Sequence, residues 1–245
     1  MDISNYIDYT LLKPTVTERD IINLCDEAKQ HGFYAICVNN CYVALAKQIL
    51  NNSQVKICTV IGYPLGATAT SSKVYEAKKS IADGADEIDM VMNLGYLKSK
   101  NYVSVLKDIS DVKFAIGRIP LKVTIEISEL NKNEIIKACE ICLDAKADFI
   151  KTSSGFSKSG ATLTAVKIIK KTVKDRAKIH AFEGIEDYET ALKYLEAGAD
   201  RIGTSVNLEP ATKAQLVRNT KIYKNYIEKL EKTSVSESST TKNPV

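Results

Sequence analysis

Three phrases of the chain echo one another: Ala-Asp-Gly-Ala-Asp-Glu-Ile-Asp-Met at 82–90, Leu-Asp-Ala-Lys-Ala-Asp-Phe-Ile-Lys at 143–151 and Leu-Glu-Ala-Gly-Ala-Asp-Arg-Ile-Gly at 195–203. In each, a helical pattern closes on small residues and an apolar run starts at Ala-Asp, a faint internal repeat that favours a closed array of like units. Working outward, eight short β-branched runs are found at 6–12, 34–39, 56–63, 85–93, 122–127, 147–154, 178–184 and 200–205. Amphipathic stretches separate them at 17–32, 42–52, 71–84, 102–112, 131–145, 162–174 and 187–199. Strands alternating with helices predict βα units around a parallel sheet. Eight units in 245 residues fit a single (β/α)8 barrel of the α/β class. A doubly wound dinucleotide fold is disfavoured, since no Gly-x-Gly-x-x-Gly follows the first run. Beyond Pro210 a lysine-rich pattern predicts one C-terminal helix to about Lys232. The Ser/Thr-rich 233–245 has too little apolar surface to pack and is expected to be a disordered tail. The expected organisation is therefore a barrel with its C-terminal helix over 1–232, then the tail.

Composition narrows the function. With 44% hydrophobic and 26% charged residues the chain has enough apolar material for one large core. No run approaches the roughly 20 apolar residues that span a bilayer, and the N-terminus has no signal-peptide pattern, so a cytoplasmic protein without membrane contact is expected. The net charge of +4 comes from lysines scattered over helix faces, which argues against a nucleic-acid partner. Of six cysteines, Cys139 and Cys142 have the spacing of a zinc knuckle. They lie within an amphipathic helix and no second pair follows, so no metal site is expected and the thiols read as small buried apolar groups.

In such barrels the chemistry gathers at the C-terminal ends of the strands. The polar residues there are Asp89 with Asn93 on strand four, Lys151 on strand six, His180 on strand seven and Gly203-Thr204-Ser205 on strand eight. Lys151 follows Asp148-Phe149-Ile150, a run suited to burial. Desolvation would lower its pKa and leave an amine able to attack a carbonyl, and the resulting iminium would act as an electron sink for a neighbouring carbon–carbon bond. Asp89 would pair with it or move protons. On position alone, a strand lysine that reaches solvent or makes a structural ion pair is the commoner case.

Five phrases sharpen the choice: Asp8-Tyr9-Thr10-Leu11-Leu12-Lys13-Pro14, Gly62-Tyr63-Pro64-Leu65-Gly66-Ala67, Ala85 to Asn93, Ala147 to Gly155 and Gly198 to Ser205. In order and spacing they resemble the deoxyribose-phosphate aldolase family over residues 7 to about 206. The resemblance implies a metal-independent Schiff-base (class I) aldolase on a (β/α)8 TIM barrel, with no cofactor beyond the covalent imine. It implies Lys151 as the Schiff-base lysine, Asp89 as the proton-relay acid, Asp8 and Lys13 as supporting polar residues, and Cys37 and Gly155 in the substrate pocket. The reaction implied is cleavage of 2-deoxyribose 5-phosphate to acetaldehyde and glyceraldehyde 3-phosphate.

The chain also departs from that pattern. His180 stands where the family has a second lysine, whose positive charge helps keep the first one neutral; a histidine of ordinary pKa is mostly uncharged at neutral pH but can still carry protons. Glu183 replaces the first glycine of a Gly-Gly turn that binds phosphate, leaving Gly184, and Glu186 follows where arginine is frequent. A carboxylate at such a turn opposes an anion. Glu183 is expected to face the pocket and Glu186 the solvent, at a helix start that favours acidic residues. Gly203 and Ser205 match the strand-eight phosphate loop, but Val206-Asn207-Leu208 replaces its usual continuation. Smaller changes are Ser159 within Ser157-Lys158-Ser159-Gly160-Ala161-Thr162, and Tyr9 where histidine is usual. The expected function is a carbon–carbon lyase of this type, acting as monomer or homodimer on a small aldehyde or ketone other than the phosphorylated sugar. Ordinary deoxyribose-phosphate aldolase activity and a non-catalytic metabolite-binding barrel are the alternatives.

Overall fold

The computed structural model describes residues 2–205. The expected C-terminal helix and tail lie outside the described residues. Eight strands form a closed parallel barrel in sequence order: β1 (Ile7–Leu11), β2 (Ala35–Val38), β3 (Lys56–Ile61), β4 (Glu87–Val91), β5 (Leu121–Thr124), β6 (Phe149–Lys151), β7 (Lys178–Phe182) and β8 (Arg201–Thr204). Around it lie α1 (Glu18–His31), α2 (Val43–Ile49), α3 (Thr70–Asp83), α4 (Leu94–Lys98), α5 (Tyr102–Ile116), α6 (Lys132–Asp144), α7 (Leu163–Val173) and α8 (Tyr188–Glu196). Among the α-helices of the described residues, only the five-residue α4 has no counterpart in the sequence pattern; Asn93 starts it, its Oδ1 accepting the Tyr96 N–H at 3.1 Å. Asn93 is thus a helix cap rather than a group aimed at substrate. Reciprocal capping boxes open α1 (Thr17 with Asp20) and α6 (Asn131 with Glu134). Among the described residues no helix is long and apolar enough to cross a membrane. Cys139 and Cys142 are free and buried on α6, and no group of three or more His, Cys, Asp or Glu among the described residues is arranged to hold a metal.

The Ala-Asp echo has a structural reason. Asp86, Asp148 and Asp200 each accept the backbone N–H of the residue beside them on the preceding strand, Ile57 at 2.9 Å, Leu121 at 2.8 Å and Ile179 at 2.8 Å. Their own N–H groups donate to the carbonyls of those same residues at 2.8–2.9 Å. Each aspartate therefore clamps the start of an even strand to its odd neighbour and fixes the register. Three residues further on, the same register brings Asp89, Lys151 and Gly203 to equivalent inward positions.

Because side chains alternate along a strand, register and alternation sort the interior into layers of four. The even strands supply Ala35, Glu87, Phe149 and Arg201 near the N-terminal end and Cys37, Asp89, Lys151 and Gly203 above. The odd strands supply Asp8, Cys58, Lys122 and His180 between those two layers, then Thr10, Val60, Thr124 and Phe182 at the mouth. The intervening Ile36, Ile88, Ile150 and Ile202 face outward and are fully buried beneath the helices. This outward face carries the main hydrophobic core, and the barrel interior mixes charged groups with a smaller apolar set that includes Cys37, Cys58 and Val60.

Candidate active site

Lys151, the last residue of β6, is fully buried, and its Nζ lies 2.5 Å from Asp89 Oδ2. The other oxygen of Asp89 accepts the Thr124 hydroxyl at 2.9 Å, so the carboxylate is held from both sides. The Phe182 ring lies against the amine, 4.3 Å from Nζ to centroid. Burial, the largest single influence, opposes the charge on Lys151; the Asp89 carboxylate, through its charge and its hydrogen bond, and the Cys37 and Cys58 sulfurs favour it, and together they lift the pKa above its ordinary value. Desolvation alone would lower the Lys151 pKa; with Asp89 beside the amine the shift is upward.

Below this pair lies a second cluster. Asp8, fully buried, makes ion pairs with Lys122 and Arg201, and Lys122 also contacts Glu87 at 2.8 Å. Arg201 continues toward the N-terminal end of the barrel, stacked 3.4 Å over Tyr34. Asp8 thus gathers two cations beneath the Lys151–Asp89 pair. Asp8, Glu87 and Asp89 balance Lys122, Lys151 and Arg201, and His180 sits among them with Nδ1 3.6 Å from Asp8 Oδ2. Burial, reinforced by Lys122 and Lys151, pushes its pKa well below 6.5, so the ring is neutral. Neither ring nitrogen has a hydrogen-bond partner among the described residues. Nε2 faces β8, where a Cβ on Gly203 would come within 2.6 Å of it. Gly203 is therefore a close-approach position beside His180. Cys37 and Cys58 face each other across β2 and β3 inside the barrel, in a small cluster with Leu12, Val60 and Tyr63.

At the mouth Glu183 has φ 73° and Gly184 φ 77°, so a glutamate occupies a left-handed position that favours glycine. Its side chain is exposed yet turned across the β6–β7 loops, since a Cβ on Gly155 (φ 88°) would lie 2.9 Å from Glu183 Oε2. The Glu183 carbonyl accepts the Ala161 N–H at 3.0 Å, tying the Ser157 to Thr162 loop to the end of β7. Glu186 is exposed just before α8, as expected. Ser205 is exposed at the end of β8, and Lys13 is exposed in the β1–α1 loop and is not brought to the Lys151 pair. Tyr9 turns outward to donate to Glu27 at 2.6 Å.

Sequence reasoning missed three neighbours. Thr124, which holds Asp89, follows from alternation with Lys122 on β5. Phe182, against Lys151, follows from alternation with His180 on β7. Glu126 could not be found that way: it has φ 56°, is 5% exposed, and its carboxylate accepts both the N–H and the hydroxyl of Ser154, the latter at 2.5 Å. Burial, only partly offset by Ser154, raises its pKa.

A parallel barrel with a buried lysine–carboxylate pair at the C-terminal end of its strands has the architecture of a Schiff-base lyase. The DeoC/LacD family aldolase pattern matches residues 4–199, and the chain belongs to that family; it is a carbon–carbon lyase. It is 48% identical over 207 residues to the deoxyribose-phosphate aldolase of Mycoplasma capricolum, covering 84% of this chain and 93% of that protein. Identity to the corresponding aldolase of Thermococcus gammatolerans is 52% over 209 residues, covering 84% and 93%. Among solved structures, the aldolase QR15 matches with a TM-score of 0.81 and 46% identity over 84% of this chain and 92% of that one.

Proposed function

We propose that Lys151 forms the Schiff base and that Asp89 moves the protons. The observation that carries this reading is the fully buried Lys151–Asp89 contact of 2.5 Å at the C-terminal end of β6. Asp89 takes the ammonium proton and Lys151 adds to the carbonyl carbon. Loss of water gives an iminium, and the bond two carbons away breaks as a hydroxyl proton is withdrawn. One aldehyde leaves, the enamine is protonated, and water regenerates the lysine. No metal or cofactor takes part in this reading. His180, neutral and with both ring nitrogens open, is suited to take or relay the hydroxyl proton, while Lys122 and Arg201 supply the positive potential beneath it.

The substrate is a small aldehyde or ketone without phosphate, or one with a cationic group toward Glu183, handled in the cytoplasm by a monomer or homodimer. Glu183 and Phe182 argue for this: the first sets a carboxylate beside Gly155 and the second covers Lys151 on the β7 side. Gly155, Gly184, Gly203 and Ser205 would shape the pocket, with Cys37 and Asp8 within the barrel and Lys13 at its rim. The second reading, cleavage of 2-deoxyribose 5-phosphate, is favoured by relatives of that name at about half identity. Steady-state rates on 2-deoxyribose 5-phosphate and on 2-deoxyribose separate the two, measured for the parent, His180→Lys, Glu183→Gly and the double variant. Poor parental use of the phosphorylated sugar, with a gain in the double variant beyond the sum of the singles, supports the altered substrate. High parental activity on it returns the chain to the second reading.

A further inference from the structure

Of the four side chains that the odd strands point inward at the mouth, Thr10, Val60, Thr124 and Phe182, only the last is aromatic. Directly beneath, the layer that holds Lys151 is open on the β8 side, where Gly203 contributes no side chain. The Phe182 ring fills that opening. A Cβ on Gly203 would lie 2.5 Å from Phe182 Cδ2 and one on Gly155 would lie 3.1 Å from Cε1, so glycines on either side of β7 make way for the two edges of the ring. Its face meets the amine, with Lys151 Nζ 4.3 Å from the centroid, and the His180 ring stands edge-on to it at 6.4 Å. The backbone that carries the ring is pinned. The Phe182 N–H donates to Thr152 Oγ1 at 3.0 Å, the Thr152 hydroxyl donates back to the Phe182 carbonyl at 3.2 Å, and that carbonyl also accepts the Ala161 N–H at 3.0 Å. Thr152 is buried and follows Lys151 directly, so the strand that bears the amine also fixes the residue that covers it.

We infer that Phe182 is a specificity-determining residue of the lysine site, its ring excluding carbonyl compounds that are branched at the carbon next to the carbonyl and leaving room for unbranched ones. The inference rests on the Schiff-base reading and deepens it. When the Lys151 amine adds to a carbonyl, the nitrogen lone pair forms the C–N bond, the π pair moves to oxygen, which takes a proton, and the flat carbon becomes tetrahedral. Loss of water then gives the iminium. That carbon must settle within one bond of Nζ, between a ring already in contact with the amine and the Asp89 carboxylate 2.5 Å away on another side. A methyl or methylene next to the carbonyl fits beside the ring edge, whereas a second branch there meets the ring itself. With its backbone held by Thr152 and Ala161, the ring yields by rotation of its own side chain and not by movement of the strand end.

The test is the rate of borohydride trapping on Lys151, followed by mass spectrometry, with acetaldehyde, propanal, 2-methylpropanal and 2,2-dimethylpropanal. The full-length parent, Phe182→Leu and Phe182→Ala are compared, each rate divided by that of Nα-acetyllysine with the same aldehyde. Circular dichroism at the assay temperature checks that each protein is folded, and the leucine variant keeps most of the packing should the alanine variant fail to fold. In the parent the corrected rate is expected to drop about tenfold to a hundredfold from acetaldehyde to 2,2-dimethylpropanal, the penalty of forcing excess bulk into a packed site. The drop should shrink to about threefold or less in Phe182→Ala and take an intermediate value in Phe182→Leu, as the space beside the amine opens. Loss of the ring's contact with the amine alone would change all four rates alike, so the ratio isolates the steric effect. A flat series in the parent, or a drop that survives both substitutions, overturns the role of Phe182, while an acetaldehyde adduct on Lys151 leaves the Schiff-base reading standing. No such adduct in the parent or in either variant overturns both.

Discussion

Replacing Lys151 by methionine removes the amine and leaves the Asp89 carboxylate 1% exposed, with the Thr124 hydroxyl as its remaining partner. Breaking a buried ion pair from one side typically costs about 3–5 kcal/mol, because the other charge stays desolvated. In a domain of this size each kcal/mol lowers the melting temperature by about 2–4 °C, so Lys151→Met is expected to melt roughly 6–20 °C below the parent. Adding Asp89→Asn removes the stranded charge while keeping an acceptor for Thr124. The double variant should recover much of the loss, with a coupling of about 2 kcal/mol or more. Thermal unfolding followed by circular dichroism at pH 7.5, for the parent, both singles and the double, measures this directly. A Lys151→Met protein as stable as the parent, or strictly additive effects, would refute a charged pair in the resting site. The practical corollary is that loss of activity in Lys151→Met is informative only at temperatures where that variant is folded.

Other consequences follow from particular residues. Glu183→Gly relieves a left-handed glutamate at a cost of about 1 kcal/mol or more, offset in part by the added freedom of glycine in the unfolded chain; the melting temperature should stay level or rise slightly. In the same variant the KM for 2-deoxyribose 5-phosphate should fall between about fivefold and a hundredfold, the range set by how much water screens charges about 5 Å apart, and an unchanged KM would clear Glu183 of opposing phosphate. His180 has a folded pKa depressed below its unfolded value of about 6.5, so below that pH the unfolded chain takes up a proton that the native one refuses. Stability should therefore fall with decreasing pH by up to about 1.4 kcal/mol per unit from this residue alone, and His180→Asn should flatten the slope of urea midpoints between pH 6.5 and 5; equal slopes would contradict a neutral buried ring. Gly66→Ala should be strongly destabilising, since the added Cβ would lie 2.1 Å from the Met92 carbonyl oxygen at a φ of 68°; a near-parental urea midpoint would contradict so tight an approach.

The fold was legible because local signals agreed with one another. All eight strands and the seven longer helices lie where periodicity and small-residue caps put them, and the Ala-Asp echo carried more than it announced, since its aspartates tie the strands in pairs. Counting three residues on from each of those aspartates reaches Asp89, Lys151 and Gly203. Lys151 was singled out by its strand-end position and the phrase around it, with Asp89 as its partner or proton carrier, and the two are in contact. The balance of burial against charge at the amine was not legible, because it depends on a carboxylate 62 positions away that only the barrel brings close. Glu126 was invisible for a related reason: its role depends on a left-handed backbone just past a strand, where side-chain alternation no longer applies. Glu183, expected to face the pocket, is exposed to solvent while leaning over Gly155. Asn93 shows the opposite error, a polar strand-end residue whose work is to cap a helix.

The central claim is covalent chemistry at Lys151, and trapping tests it most directly. The full-length protein is incubated with acetaldehyde and borohydride at neutral pH, digested, and the modified residue located by tandem mass spectrometry. The account predicts one ethyl adduct, on Lys151, absent from folded Lys151→Met and formed more slowly in Asp89→Asn. An adduct on Lys122 in place of Lys151, or none on any buried lysine while the parent still turns over an aldehyde, would contradict it.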